Sequence, residues 1–194
     1  HIACMGAHQG QDGAVIIVGT GSCGLASVNG QLVEVGGHGF PYGDNGSGAW
    51  FGMQLVHKVL LSLDQLAPAT AMTPLLMQEL AARDTMALVS HFMHATPTTY
   101  AKYAPLVFTA AEAGDATALA LIEQGAAFIT AIAQRLLKAG PPRLSFIGGL
   151  AHKLLPYLPL DIQQQVTPAQ QTPELGAIWF ALQRDQSQSI ALSL

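Results

Sequence analysis

Charged side chains are scarce in this sequence of 194 residues. Only 10% of the residues are charged, whereas roughly 25% are charged in ordinary soluble domains. A surface that binds nucleic-acid phosphates needs clustered positive charge, so we expect no nucleic-acid partner. Half of the residues are hydrophobic, which favours a domain with a large apolar interface; an alanine-rich cytoplasmic domain is the alternative. The eight Lys and Arg residues are spread singly, as at Lys58, Arg83, Lys102 and Lys153.

Cysteines and long apolar runs are also few. The only two cysteines, Cys4 and Cys23, lack the spacing of a zinc or redox motif, and we interpret them as reduced thiols of a cytoplasmic protein. No uninterrupted apolar run reaches 18 residues, so we expect no membrane-spanning helix.

Complete sets of metal ligands are missing as well. His91 and His94 form an H-x-x-H pattern, and His1, Cys4 and His8 are close in sequence, but neither group supplies a full ligand set. We therefore predict histidines on helical surfaces and no protein metal site.

Glycine, in contrast, is abundant in one region. An apolar run, Val15–Val18, breaks at Gly19-Thr20-Gly21-Ser22 and recovers as a second strand. Glycines at such a break let backbone N–H groups approach an anion closely, although a tight turn without a ligand has the same sequence. No G-K-[S/T] follows, which excludes a Walker phosphate loop, and no G-x-S-x-G elbow surrounds Ser22 or Ser47, which argues against a serine hydrolase.

The order of predicted elements indicates an α/β fold with a mixed sheet. Apolar runs and the Asn29-Gly30 turn predict a three-strand meander at the start of the chain. Helices dominate the middle, and a buried strand then runs into Gly148-Gly149. The predicted strands are 15–19, 23–29, 31–35, 144–147 and 163–166. The first helix after the meander is predicted to begin at Asp44 or Ser47 and to end near Leu63. The other predicted helices are 74–93 (one or two helices), 97–113, 115–139, a segment from Leu150, and 174–182, and a frayed polar tail is predicted at 185–194.

Several motifs together resemble a known family. These are V-G-T-G-S, N-G-Q in a hairpin, G-G-H-G-F-P-Y-G-D-N-G-S, and I-G-G-L-A after a strand. They resemble the amino-sugar kinases, N-acetylglucosamine and glucosamine kinases, of the actin-like, hexokinase-type ATPase superfamily (BadF/BadG/BcrA/BcrD type). The activator ATPases of acyl-CoA dehydratases belong to the same group. The resemblance implies two ribonuclease-H-like domains with ATP and sugar between them, and residues 1–194 match the C-terminal one.

The resemblance assigns roles to nine residues. ATP with Mg²⁺ is the implied cofactor. Many relatives have Trp where this chain has His38, so the wall of the site that faces the sugar could differ from theirs. The implied phosphate loop is Gly19, Thr20, Gly21 and Ser22, the adenosine turn is Gly148 and Gly149, and the sugar contacts are Gly37, His38 and Asp44.

Asp44 has three interpretations. It could accept hydrogen bonds from sugar hydroxyls, hold a water molecule of the Mg²⁺ shell, or only cap a helix. Gly148-Gly149 has a structural alternative too, as a turn that needs positive φ.

Two family features are absent and bear on activity. One is the Asp-x-Gly-Gly-Thr hairpin that forms the first phosphate loop, and the other is the aspartate that acts as general base, expected just before the helix that 1–7 continues. We predict no catalytic residue within 1–194 and expect this chain alone to be inactive, with its N-terminal domain and a small sugar as partners; a homodimer is also considered. The primary hypothesis is a kinase acting on the 6-hydroxyl of N-acetylglucosamine or glucosamine, and the alternatives are an activator ATPase and a non-catalytic sugar sensor.

Overall fold

A computed structural model describes the backbone of residues 1–191 and the side chains of residues 1–182. The last three residues of the predicted tail, 192–194, lie outside the described residues. The described chain forms one four-stranded sheet with helices on both faces. The strands are β1 Gly13–Val18, β2 Ser22–Val28, β3 Gln31–Gly36 and β4 Leu144–Ile147; the helices are α1 Ile2–His8, α2 Gly48–Leu63, α3 Met72–Glu79, α4 Thr85–Phe92, α5 Pro97–Ala101, α6 Ala104–Glu112, α7 Ala116–Leu137, α8 Ala151–Leu154, α9 Leu160–Gln163 and α10 Pro173–Ala191, with a short 3₁₀ turn at Leu155–Tyr157.

The sheet has the order β3-β2-β1-β4 and confirms the predicted α/β class with a meander. The meander strands are antiparallel, with Ile17 opposite Cys23 and Cys23 opposite Gly36. β4 runs parallel to β1, with Ile17 opposite Ile147. The segments that follow β1 and β4 therefore emerge side by side at one edge of the sheet.

The two faces of the sheet pack against different helices. On the face of Ile16 and Val18, β2 is so close to α7 that a Cβ atom at Gly24 would overlap Ile132 and come within 2.8 Å of a Leu136 methyl group. On the opposite face, Cys4 and Ala7 of α1 join Val15 and Leu25 in a smaller apolar cluster. Side chains alternate between the faces, as a strand period of two requires.

Helix α7 has the length and apolar composition of a membrane-spanning helix, with a mean hydropathy of 1.5. Its apolar residues pack in the protein core, including Leu121, Ile129 and Leu136. Core helices have the same composition, so this helix is weak evidence for a membrane.

Three local predictions were wrong. The predicted strand 163–166 is not a strand: Gln163 is the last residue of helix α9, a turn follows, and Val166 makes a single bridge to Leu144. The predicted helix 97–113 is two helices, α5 and α6, because Pro105 lacks an N–H donor and a new helix starts around it. The last helix does not end at Leu182: α10 continues to Ala191, beyond the predicted start of a frayed tail.

Candidate functional site

The loop Gly19–Gly21 connects β1 to β2 and lies against the start of α2. The N–H of Gly48 donates to the Gly19 carbonyl at 2.7 Å, and that of Ala49 donates to the Thr20 carbonyl at 3.1 Å. A trans peptide places its N–H opposite its C=O, so the Thr20 and Gly21 N–H groups point away from α2. In the part of the chain that the structure describes, neither has an acceptor. The loop thus presents two backbone donors in front of the positive end of a helix.

The two hydroxyl groups of the loop have different surroundings. Thr20 is exposed. Ser22 is buried; its hydroxyl donates to the Asn45 carbonyl at 2.8 Å and its N–H donates to a carboxylate oxygen of Asp44 at 3.2 Å. Ser22 therefore ties the loop to the segment before α2, and Thr20 is the residue whose hydroxyl can reach a ligand.

Asp44 adopts a left-handed conformation with φ of 61°. Its carboxylate faces the loop so closely that a Cβ atom at Gly21 would lie 3.0 Å from one of its oxygens. Ser47 caps α2, because its hydroxyl oxygen accepts a hydrogen bond from the Trp50 N–H at 3.2 Å. The sequence allowed either Asp44 or Ser47 as the N-cap of α2. Ser47 is the cap, and the Asp44 carboxylate is directed to the loop instead.

The Gly148-Gly149 turn lies beside the loop, as the parallel pairing of β1 and β4 requires. Gly148 has φ of 107°, and a Cβ atom there would overlap the Val18 carbonyl and lie 3.1 Å from the Gly19 nitrogen. A Cβ atom at Gly149 would meet nothing within 4 Å. Gly148 is therefore required by the fold, whereas the fold leaves Gly149 free.

A cleft of about 550 Å³ extends from this turn along the end of β4. It is lined by apolar side chains on one side and by the segment after α9 on the other. An apolar slot that ends at a glycine turn suits a flat aromatic ring, because the ring can approach the backbone. Its lining residues include Phe146, Gly148, His152, Val166 and Pro168.

The predicted sugar residues are only partly brought together. Gly37 lies next to the start of β2, where its N–H donates to the Ser22 carbonyl at 3.3 Å. It also lines a cavity of about 230 Å³, which His38 and Asp44 do not line. His38 is exposed and lies beside Gly43, where a Cβ atom would be 3.0 Å from that of His38. Asp44 and Gly37 thus both contact Ser22 at the end of the Gly19–Gly21 loop, but only Gly37 lines the cavity.

The cavity contains residues that were not predicted to take part in a site. Cys23, Leu25, Glu34 and Gly36 lie on one face of the meander, and His1 closes the cavity from the start of α1. The alternation along β2 and β3, combined with the hairpin register from Asn29-Gly30, could have placed Cys23 and Glu34 on the same face. The contribution of His1 had no signal in the sequence.

The thiols are shielded. Burial raises the pKa of Cys4 to about 11, and its Sγ lies 3.4 Å from the Gly13 carbonyl. Burial, assisted by the negative charge of Asp44, also raises the pKa of Cys23. Among the described residues, no three His, Cys, Asp or Glu side chains form a cluster suited to a metal ion. This arrangement gives no support to an iron–sulfur site at Cys4.

The profile of the BadF/BadG/BcrA/BcrD ATPase family matches residues 1–181. Glucosamine kinase GspK from Vibrio cholerae is 36% identical over 179 residues, which cover 92% of this chain and 60% of that protein. N-acetyl-D-glucosamine kinase from Dictyostelium discoideum is 35% identical over 107 residues, or 53% of this chain and 34% of that protein.

A similar structure is that of a candidate N-acetylglucosamine kinase from Chromobacterium violaceum. It superimposes with a TM-score of 0.85 at 33% identity and covers 91% of this chain and 61% of that one. A second, from Porphyromonas gingivalis, has a TM-score of 0.61 at 18% identity, which supports the fold alone. The chain thus spans about three fifths of the length of the Vibrio cholerae and Chromobacterium violaceum relatives.

Proposed function

The chain belongs to the BadF/BadG/BcrA/BcrD ATPase family, and we propose that it is the C-terminal domain of an ATP-dependent kinase that phosphorylates glucosamine or N-acetylglucosamine at the 6-hydroxyl. Its actin-like ATPase fold and its kinase relatives support a phosphoryl transfer to a sugar. The observation that carries the proposal is the pair of outward N–H groups at Thr20 and Gly21, held by α2 beside the Gly148-Gly149 turn.

The surroundings of the glycine turns fit a triphosphate. Cβ atoms at Gly19 and Gly149 would meet nothing within 4 Å, so the space in front of both turns is open. We assign the phosphate oxygens to the Thr20 and Gly21 N–H groups and the Thr20 hydroxyl. Hydrogen bonds from neutral donors to a charged oxygen contribute about 1.5–3 kcal/mol each, enough for a few of them to fix the phosphates.

The cleft beyond Gly148 is assigned to adenosine. Phe146, Leu155 and Val166 provide apolar surface for the ring, and Gly149 leaves room for the ribose to pass. This assignment puts the nucleotide at the carboxyl ends of β1 and β4, where open α/β sheets bind ligands.

The sugar is assigned to the region between Asp44 and Gly37. A carboxylate can accept two hydroxyl hydrogen bonds, and one Asp44 oxygen is already directed by the Ser22 N–H. In this role Asp44 orients the sugar and needs no change of protonation. Glu34 offers a second carboxylate in the cavity beside Gly37.

ATP supplies the transferable phosphoryl group when bound, and phosphoryl transfer depends mainly on positioning and on neutralising charge. Magnesium is bound by proteins through few carboxylates and through substrate phosphates, and Asp44 places a carboxylate beside the loop. We place the general base and the first phosphate loop in an N-terminal domain outside residues 1–194. The work of this chain is to hold one side of the phosphates and of the sugar.

The test is an ADP-release assay on the full-length protein with glucosamine, N-acetylglucosamine and glucose as acceptors. We expect release that depends on an amino sugar, and a product whose phosphorus couples in NMR to the protons on carbon 6. Residues 1–194 alone should give no sugar-dependent release. ATP hydrolysis that no sugar stimulates would contradict the kinase and favour the activator ATPase, and a product phosphorylated elsewhere would contradict the 6-hydroxyl assignment.

A further inference from the structure

Helix α10 displays an apolar stripe that no described residue covers. Leu175, Ile178 and Leu182 follow one another at helical spacings of three and four, and their side chains are 42%, 56% and 49% exposed. Ile2, at the start of the neighbouring α1, is also exposed. Surface helices usually turn such a stripe toward a core and present polar residues outward.

The other side of α10 is fixed to α1 by a contact between glycines. A Cβ atom at Gly176 would overlap the Ile2 carbonyl and lie 2.5 Å from the Gly6 nitrogen. A Cβ atom at Gly6 would overlap the Thr172 carbonyl in turn. The two backbones are thus in direct contact, and α10 has no freedom to rotate its stripe inward.

The beginning of α1 lies at the same place. The His1 and Phe180 rings make an edge-to-face contact with centroids 5.3 Å apart. A polypeptide joined to His1 in a longer chain would therefore emerge beside α10. The relatives that this chain matches are longer by the size of a small domain, since the chain covers 60% of one and 61% of another.

We propose that the stripe Leu175–Ile178–Leu182, with Ile2, is the surface on which the N-terminal domain of the full-length protein docks. This rests on the two-domain organisation proposed above. A domain tethered at His1 has a high local concentration at α10, so an interface of modest area suffices to hold it. A second copy of the chain has no such tether and is the competing occupant.

The experiment is cysteine labelling of the full-length protein in its native state. Ile178→Cys probes the stripe, and Leu160→Cys, at a 70% exposed position of α9, is the matched control. Peptide mass spectrometry separates both from Cys4 and Cys23. We expect labelling at Ile178→Cys to be at least about tenfold slower than at Leu160→Cys, because it needs transient opening of the interface. Equal rates would overturn the proposal.

Dilution and activity separate the remaining outcomes. Protection that persists in a monomer, verified by light scattering at the labelling concentration, supports docking within one chain. Protection that disappears as a dimer dissociates would overturn the proposal in favour of a second copy. Amino-sugar-dependent ADP release, measured on the same variants, tests the proposed function separately. If ADP is released but Ile178→Cys is not protected, the docking surface is wrong and the kinase proposal stands. If Ile178→Cys is protected but no ADP is released, the kinase proposal is wrong and the docking surface stands.

Discussion

The carboxylate of Asp44 accepts a hydrogen bond from the backbone N–H of Ser22 across 3.2 Å. This contact joins the glycine-rich segment after β3 to the loop after β1, which are 22 residues apart in sequence. In the proposed function, the Asp44 carboxylate therefore contacts both the sugar and the segment that holds phosphate. A role as a helix cap is excluded for this carboxylate because Ser47 has that role.

The first prediction concerns the charge of Asp44 in the full-length enzyme. Asn tolerates positive φ and keeps a carbonyl oxygen for the Ser22 N–H, so Asp44→Asn removes the charge with little strain. We expect kcat/KM for the amino sugar to fall by about 30- to 1000-fold, or roughly 2–4 kcal/mol. Steady-state kinetics and the thermal midpoint are measured on one preparation. Unchanged sugar kinetics would mean that the sugar lies elsewhere.

The second prediction concerns Ser47, whose hydroxyl caps α2. Ser47→Ala should lower the free energy of unfolding by about 0.5–2 kcal/mol, because the Trp50 N–H loses its acceptor in a buried place. Urea titration measures the loss. Kinetics for sugar should stay near wild type below the melting temperature, in contrast to Asp44→Asn. If Ser47→Ala instead impaired sugar turnover at full stability, the assignment of the two residues would have to be exchanged.

Local signals sufficed for the strands and for most helices. Val15–Val18 is β-branched and buried, and Asn29 and Gly30 both have the positive φ that a two-residue hairpin turn requires. The segment at Gln163 lacked such a signal: three consecutive glutamines show no alternation, and helical hydrogen bonds after Pro159 formed instead. Val166 forms an isolated parallel bridge to Leu144, and the Thr167 N–H donates to the Leu144 carbonyl at 2.8 Å. No local sequence pattern predicts this contact with β4.

The site was predictable where it depends on one segment and not where it depends on several. The glycine pattern indicated the loop at Gly19 and the turn at Gly148, and the parallel pairing of their strands brought them together. The hydrogen-bonding positions of Ser22 and Asp44 arise from packing between distant segments. The cavity at Gly37 needs the register of three strands and the start of α1, so its wall at Glu34 and His1 became visible only in three dimensions.

The third prediction compares Gly148 and Gly149, the two glycines of the proposed adenosine turn, in the full-length protein. Gly149→Val should raise the KM for ATP much more than the KM for sugar, because the new side chain meets no protein atom and would enter the nucleotide space. Gly148→Ala should instead destabilise the fold by about 1–3 kcal/mol, since its φ of 107° and the nearby Val18 carbonyl leave no room for Cβ. KM values and thermal midpoints measure both. An unchanged KM for ATP in Gly149→Val would remove Gly149 from the nucleotide site.

The last prediction concerns the pH dependence of stability through His8. This side chain is fully buried, its Nε2 lies 2.9 Å from the Ala14 carbonyl, and its Nδ1 has no partner among the described residues. Burial lowers the pKa of His8 below its ordinary value of 6.5, the hydrogen bond to Ala14 opposes this, and the positive charge of Arg143 adds to the lowering. At pH values below 6.5 and above the lowered pKa of the folded state, the unfolded chain therefore binds a proton at His8 that the folded chain does not bind.

The sign follows from that difference in protonation. The contribution of neutral His8 is complete above about pH 6.5 and is lost as the pH falls through the lower pKa of the folded state, with a slope of at most about 1.4 kcal/mol per pH unit. Urea titrations between pH 7.5 and 5 measure the free energy of unfolding. In His8→Gln, which retains an N–H donor, this part of the slope should disappear, whereas the control His57→Gln, at an exposed position of α2, should keep the wild-type slope. Equal slopes in all three proteins would show that His8 takes up its proton without cost to the fold, and the unpaired Nδ1 would then have to find a partner when charged.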